Sequence, residues 1–196
     1  HRDLPLLLYQ VDAKFRDDRA RGLARSKEFG MADAYSLALD ADALREQYRG
    51  VRRAFARALS DLGLTFAVVP ADNGAMGGDR SEEFVAPVPD GEGSVRLVHC
   101  SADGCRFGRT DEHDGVGAVG ADDRCPDCGA DLGASDGVEV AHVFELGTRY
   151  SSSMGLTVDD ADGRAREVEM GCYGVGVERL LTTLAAARLV GTGAES

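Results

Sequence analysis

The chain has 196 residues, 43% of them hydrophobic, and a formal net charge of −12. This length predicts one domain with at most a small satellite, and the composition is sufficient for a buried core. The acidic balance argues against nonspecific nucleic-acid binding by the chain taken as a whole.

Charge is unevenly distributed along the chain. Residues 1–58 contain 12 Lys/Arg against 9 Asp/Glu, whereas residues 99–136 contain 3 Arg against 9 Asp/Glu, so a polyanion is still able to meet the basic first third. No apolar run approaches the roughly 18 residues that span a bilayer, and no secretory signal is present, so we expect a cytoplasmic protein. Because the chain begins with His1, we expect a piece of a longer protein or a processed form.

Two strands and a helix are predicted in the first third. Residues 6–15 alternate between apolar and polar side chains toward their end, and residues 31–39 predict a second strand, which together favour an antiparallel hairpin. Asp40 or Asp42 is a suitable cap for a helix over residues 43–62. Its apolar stripe recurs at steps of three and four: Leu44, Tyr48, Val51, Phe55, Leu59 and Leu62.

The remainder is predicted to be mainly strands, over residues 64–69, 82–88, 94–100, 138–146 and 166–170. A glycine-rich loop occupies residues 72–80, and a closing helix is predicted over residues 174–190. Residues 99–136 lack periodicity, which predicts a small insertion or linker rather than core. Strands outnumber helices with little βαβ alternation, so the predicted fold class is α+β, with an antiparallel β-sheet flanked by helices.

Three segments contain candidate ligand-binding residues. In KFRDD, Arg16 and Asp18 share one face of a strand, and a guanidinium suits phosphate, although an ordinary hairpin end with solvated charges has the same pattern. In ARSKEF, Arg25 offers positive charge and Phe29 a flat face for a purine; the alternative is a basic loop with Phe29 in the core.

The third segment, MGCYGVGVERLL, runs from glycines into a helical pattern that contains Arg179. Glycines allow close backbone approach to a ligand, and a helix N-terminus favours an anion. The alternative is tight strand-to-helix packing with Arg179 on the solvent face.

Taken together and in this order, FRDD, RSKEF and GCYGVGVER resemble motifs 2 and 3 of class II aminoacyl-tRNA synthetases. The similarity is greatest to bacterial-type prolyl-tRNA synthetases and extends to HRDLPLLLYQVDAKFRDD, EFGMADAYSL, ADNGAMGGDRSEEF and VEVAHVFELGTRYSSSMG. The resemblance implies a catalytic core formed by residues 1–98 and 137–191, with residues 99–136 standing in place of an editing domain.

The resemblance also implies a role for each matched residue. Arg16 and Arg179 would be catalytic: Arg16 would hold the ATP α-phosphate and the amino-acid carboxylate, and Arg179 would sandwich the base and reach the γ-phosphate. Four residues would bind the nucleotide: Asp18, Arg25, Phe29 and Glu145. Five would bind the amino acid: Glu82, Phe84, His142, Cys172 and Gly174. Glu82 departs from the histidine that is familiar at its position.

The implied activity is ATP- and Mg²⁺-dependent formation of prolyl-adenylate and its transfer to tRNA(Pro), by a protein that is a homodimer and binds no membrane. Motif 1, the Thr-x-Glu loop, the anticodon-binding domain and the editing insertion have no counterpart within the chain. The alternative is therefore a synthetase-like paralogue or fragment that binds ATP, an amino acid or a partner without ligase activity.

The five cysteines are an odd number in a chain expected to be cytosolic, which argues against a disulfide framework, and four of them form two close pairs. Cys100 and Cys105 are spaced C-x4-C, and Cys125 and Cys128 are spaced C-x2-C. Two such pairs suit a tetrahedral structural Zn²⁺. The alternative is a vestigial loop with reduced free thiols.

Overall fold

The predicted α+β class is confirmed by the computed structural model, which describes residues 2–17, 26–89, 92–111 and 120–192, with side chains up to residue 187. None of the described helices is long and apolar enough to cross a membrane. The elements in chain order are β1 (Leu6–Phe15), β2 (Glu28–Ala38), α1 (Ala41–Asp61), β3 (Ala67–Pro70), β4 (Arg80–Val88), β5 (Val95–Cys100), β6 (Gly108–Thr110), β7 (Leu132–Gly147), α2 (Arg149–Met154), β8 (Thr157–Asp159), β9 (Ala165–Glu167), β10 (Glu169–Gly176) and α3 (Val177–Thr192).

An antiparallel sheet in the order β1-β2-β10-β7-β4-β3 forms the body of the molecule. Helices α1 and α3 both cover one face of this sheet. Tyr48 and Val51 from α1 and Leu180 from α3 pack there against one core cluster, which includes Phe84 of β4 and Tyr173 of β10. Apart from the first turn of α3 at one side, the opposite face is not covered by these helices and is available for a ligand.

The amphipathic stripe of α1 is confirmed, with Leu44, Tyr48, Val51 and Leu59 buried. Asp40 is the N-cap, because its side chain accepts a hydrogen bond of 2.8 Å from the backbone N–H of Ala43. Asp42, the other candidate cap, lies in the first turn, where its negative charge interacts favourably with the helix dipole.

The predicted start of the closing helix at residue 174 is wrong. The glycine-rich segment continues as strand β10 to Gly176, between β2 and β7, and α3 begins at Val177. One of its glycines has a packing reason, because a Cβ at Gly171 would collide with the hydroxyls of Tyr173 and Ser36, which hydrogen-bond each other at 2.8 Å.

A ring of five strands forms at one end of the sheet. β7 pairs with β4 and with β5, β5 pairs with β6, and a parallel bridge between Val68 and Phe107 joins β6 back to β3. Its interior is apolar: Ala67, Val69, Val85, Val95 and Leu97. Side chains at Gly108 and Gly137 would collide with this interior, so both positions require glycine.

The ring corrects the prediction that residues 99–136 are a linker apart from the core. β5 runs to Cys100 and β7 begins at Leu132, so strands of the main sheet cross both predicted boundaries. The unpatterned sequence concealed this because its strands are short and rich in glycine. The division into a catalytic core and an insertion stays a prediction.

Candidate active site

A cavity of about 570 Å³ opens on the sheet face opposite α1 and α3. Strands β2, β10 and β7 form its floor, and the end of β1 and the first turn of α3 close one side. This volume is in the range of small-molecule sites. The residues that line it are Lys14, Phe15, Arg16, Ser26, Phe29, Met31, Asp33, Tyr35, Met76, Glu139, Val140, Ala141, His142, Phe144, Cys172, Gly174, Gly176, Glu178 and Arg179.

Arg16 and Phe29 meet at one end of the cavity. The Arg16 guanidinium lies 5.3 Å from the centre of the Phe29 ring, within cation–π range. The backbone N–H of Arg16 donates to the carbonyl of Lys27 at 2.8 Å, which continues the β1–β2 pairing past the ends of both strands. The β1–β2 hairpin therefore positions the Arg16 guanidinium and the Phe29 ring at the same end of the cavity.

Arg179 faces the cavity, which excludes the alternative that it points to solvent. Its Nη1 donates to the Glu139 carbonyl at 2.9 Å and to the Glu139 carboxylate at 3.0 Å. The side chain is only 25% exposed. A guanidinium held at two points is preorganised to meet an anion.

Glu83, Glu139 and His142 form a cluster whose ligand atoms all lie within 4.8 Å of one another. The pairing of β4 with β7 shifts by one residue after Phe84, so Val140 is an extra residue in β7. This bulge is what allows Glu139 and His142, three residues apart, to face the same cavity. Burial alone would raise the pKa of Glu139, but His142 and Arg179 beside it bring the pKa below its usual value.

Cys172 and Tyr35 lie directly opposite each other at the other end of the cavity. Burial and the nearby Asp33 charge raise the pKa of the Cys172 thiol to about 11, so the thiol is neutral and not a nucleophile. Asp33 is 3% exposed and is bound by Lys14 at 3.1 Å and Gln10 at 2.8 Å, both from β1.

Six of the predicted ligand-binding residues are brought together in this cavity: Arg16, Phe29, His142, Cys172, Gly174 and Arg179. Two more, Asp18 and Arg25, lie outside the described residues.

Glu82, Phe84 and Glu145 are corrections, because all three face the helices rather than the cavity. Glu82 accepts hydrogen bonds from the Tyr48 hydroxyl at 2.7 Å and from Arg52 Nε at 2.9 Å, and Phe84 is fully buried in the core. Glu145 lies 3.4 Å from Arg45 of α1. Side chains alternate along a strand, so the neighbours of these residues lie on the other face: Phe144, next to Glu145, lines the cavity, and Glu83, next to Glu82, contacts the cavity residue His142.

Phe84 offers a direct test of this correction. Its ring centre lies 6.1 Å from that of Phe55 and 5.7 Å from that of Phe66. We expect Phe84→Ala to lower the free energy of unfolding by about 3–5 kcal/mol, because it empties a buried site. Leu181→Ala, at a 60% exposed position, should change it by no more than about 0.5 kcal/mol. Urea denaturation measures both; an unchanged stability in the first variant would contradict the core assignment.

The four paired cysteines converge at the end of the strand ring, far along β7 from the cavity. Sγ of Cys100 lies 3.5 Å from that of Cys128, and Sγ of Cys105 lies 3.8 Å from that of Cys125. All four sulfurs lie within 4.8 Å of one another. Cys172 is not part of this group.

Sequence reasoning missed several residues that line the cavity. Asp33 and Tyr35 lie within the matched segment EFGMADAYSL, but nothing in the local pattern distinguishes them from ordinary strand residues. Glu139 was hidden by the bulge. Glu83, which lies 3.4 Å from the cavity residue His142, was hidden by its identical neighbour. Glu178 stands inside the glycine-to-helix segment, where only Arg179 was singled out.

Comparison with known families decides the identity of the fold. The family described as tRNA synthetase class II core domain (G, H, P, S and T) matches residues 1–188. The chain belongs to this family. The predicted resemblance to class II synthetases is therefore confirmed.

Several curated relatives of this class II core are named as proline–tRNA ligases. The chain is 42% identical over 192 residues to "Proline--tRNA ligase" of Anaplasma marginale (strain St. Maries), covering 94% of this chain and 45% of that protein. It is 43% identical over 184 residues to "Probable proline--tRNA ligase, mitochondrial" of Rattus norvegicus, covering 92% of this chain and 37% of that protein. The chain thus spans less than half the length of these relatives.

A solved structure shares the fold of this class II core. Prolyl-tRNA synthetase from Cryptosporidium parvum, complexed with halofuginone and AMPPNP, superposes with a TM-score of 0.63 at 16% identity, covering 94% of this chain and 29% of that chain. This agreement supports the architecture described above.

Proposed function

We propose that this chain is the catalytic core of a proline–tRNA ligase, which activates proline with ATP as prolyl-adenylate and transfers the prolyl group to tRNA(Pro). The observation that carries the proposal is that curated proline–tRNA ligases match 92–94% of the chain at 36–43% identity. The cavity described above is lined by arginines, carboxylates and an aromatic ring, which are the kinds of group that this chemistry would use.

Arg16, Phe29 and Arg179 form the nucleotide end in this proposal. The Phe29 ring offers a flat face to adenine, and the two guanidinium groups offer planar donor forks to phosphate. The contact of Arg16 with Phe29 and the binding of Arg179 to Glu139 support it, because both arginines are held in place before a ligand arrives. The adenine-edge role of Asp18 and the terminal-phosphate role of Arg25 stay predictions.

Mg²⁺ would be held by Glu83 and Glu139, beside the cavity residue His142. A hard cation takes carboxylate oxygens, and this cluster offers two carboxylates within reach of each other, so the donor set fits the ion. His142 adds a nitrogen, which suits Mg²⁺ less well. Bound there, the ion would neutralise phosphate charge. The nucleotide contact predicted for Glu145 is not proposed again, because Glu145 faces α1.

In this reaction the protein has to position the two reactants and neutralise their negative charge. The proline carboxylate attacks the α-phosphorus of ATP and pyrophosphate leaves, so two anions must be held together. Arg16 is the group that would meet both. Cys172, Gly174 and His142 would line the amino-acid end, with the neutral Cys172 thiol as part of the wall and not as a reactant.

We propose three further properties for the complete protein: it binds tRNA(Pro), forms a homodimer and is located in the cytoplasm. The matched rat and mouse relatives are named mitochondrial.

The cysteine cluster is proposed to hold one structural Zn²⁺. Four thiolates around zinc at about 2.3 Å place their sulfurs roughly 3.8 Å apart, and the two closest pairs here lie at 3.5 and 3.8 Å. The backbone supports the same interpretation: Ala102 N–H donates to the Cys100 sulfur at 3.4 Å, and a tight turn joins Gly129 N–H to the Cys125 carbonyl at 2.8 Å. Zn²⁺ bound there would fasten the end of β5 to the loop before β7.

Proline-dependent ATP–pyrophosphate exchange tests the function. The complete gene product that contains residues 1–196 should exchange with proline and about 10²-fold less with alanine, since alanine leaves unfilled the space that the proline ring would occupy. Residues 1–196 alone should show weak or no exchange.

Two results would overturn the proposal. Exchange that depends only on another amino acid would refute the choice of proline. Nucleotide binding with no exchange for any amino acid would favour the synthetase-like protein without ligase activity.

A further inference from the structure

A side chain replaces a missing strand contact beside the cavity. β10 ends at Gly176, which pairs with Met31 of β2, so Gly30 has no partner residue on β10. The backbone N–H of Gly30 instead donates to both carboxylate oxygens of Glu178, at 2.8 and 2.7 Å. Glu178 lies in the first turn of α3, where the helix dipole favours a negative charge.

This contact joins the two elements that carry the nucleotide end. Gly30 follows Phe29 on β2, and Glu178 precedes Arg179 on α3. Arg179 is bound to Glu139 of β7, so two consecutive residues of α3 hold strands on opposite sides of β10. The first turn of α3 is thereby fixed across the sheet.

We infer that Glu178 is a positioning residue that sets the separation between Phe29 and Arg179, the two side chains between which the proposed function places the nucleotide base. The inference rests on the proposed function, because it assigns this slot, the space between the two side chains, to ATP. A charge-assisted hydrogen bond in an exposed position is modest by itself, but small displacements of binding groups have large effects on productive geometry.

Gly30 also contributes to this contact, because it has no side chain. A Cβ at this position would lie 3.1 Å from Glu178 Oε1, closer than ordinary van der Waals contact. Any larger residue at position 30 would therefore push the Glu178 carboxylate away from the backbone N–H that donates a hydrogen bond to it. The absence of a side chain at Gly30 and the carboxylate at Glu178 act as a pair.

The test uses the complete gene product and the exchange assay. We expect Glu178→Ala to raise KM for ATP about tenfold, with kcat and KM for proline changed less than about threefold, since a loosened slot weakens base binding and leaves the reacting atoms in place. Glu178→Gln keeps one acceptor oxygen and should recover most of the loss. Glu46→Gln, a 68% exposed glutamate on α1, is the matched control and should leave KM unchanged.

A second readout follows the contact itself. In residues 1–196, the Gly30 amide proton should move upfield and exchange faster with solvent in Glu178→Ala than in the unaltered chain. An unaltered KM for ATP in Glu178→Ala would overturn the inference. A second outcome would also overturn it: an equally raised KM for ATP in Glu178→Gln and Glu178→Ala, with the Gly30 amide signal unchanged. Glu178 would then act by contacting the ligand directly. Absence of exchange in the unaltered protein would count against the proposed function instead.

Discussion

Arg179→Ala is expected to lower proline-dependent exchange by about 10²–10³-fold while leaving the fold intact. The substitution removes a positive charge that faces the cavity at a point where phosphate would lie. It also removes one of the partners of Glu139, at 3.0 Å. Arg179→Lys should recover little, because a lysine keeps the charge and loses the planar fork.

The same variant makes a prediction about pH. Arg179 contributes to the lowered pKa of Glu139, so its loss should raise that pKa. A carboxylate with a raised pKa is protonated at a higher pH, and the acidic limb of the residual rate should therefore move toward neutral pH.

The control for Arg179 is Arg57→Ala on the far face of α1. Arg57 is 84% exposed and its nearest acidic partner is Asp61 at 3.6 Å, so we expect unchanged exchange and unchanged thermal unfolding. Exchange in Arg179→Ala equal to that of the control would remove the assigned role.

Loss of zinc is the second large effect that we expect. Purified residues 1–196 should contain about one Zn²⁺, and Cys125→Ser should lose it and become less stable by several kcal/mol, because structural zinc binding is folding free energy. Cys125 is 2% exposed within the cluster of Cys100, Phe107 and Leu132, so the destabilisation should spread into the strand ring. Metal analysis and chelator-dependent melting measure the effect.

Cys172→Ser is the matched control for zinc, since the fifth cysteine lies in the cavity instead of the cluster. It should retain the metal. Equal zinc content in Cys125→Ser and the unaltered chain, or none in either, would exclude the structural zinc and return the cluster to reduced free thiols.

Local pattern was sufficient for much of the fold. The stripe of α1 and the pairing of β1 with β2 follow the predicted periods, because 3.6-residue and two-residue repeats are local properties. Boundaries were less well predicted at β7, which begins at Leu132, six residues before the predicted start. Those six residues pair with β5, a long-range contact that their own composition does not reveal.

The candidate site was also only partly predictable from the sequence. Motif resemblance identified Arg16, Phe29 and Arg179, and the cavity brings them together. It misplaced Glu82 and Phe84, because alternation determines only which residues share a face and does not say which face is covered by helices.

The sequence by itself determined the α+β class, the main helix, the paired cysteines and the family to which the chain belongs. Only the tertiary structure decided that Glu83 and not Glu82 contacts His142 of the cavity, that a bulge at Val140 places Glu139 beside His142, and that the glycines before Arg179 form a strand. The physical reason is that each of these depends on register between strands distant in sequence, whereas helix stripes, cysteine spacing and motifs are carried by neighbouring residues.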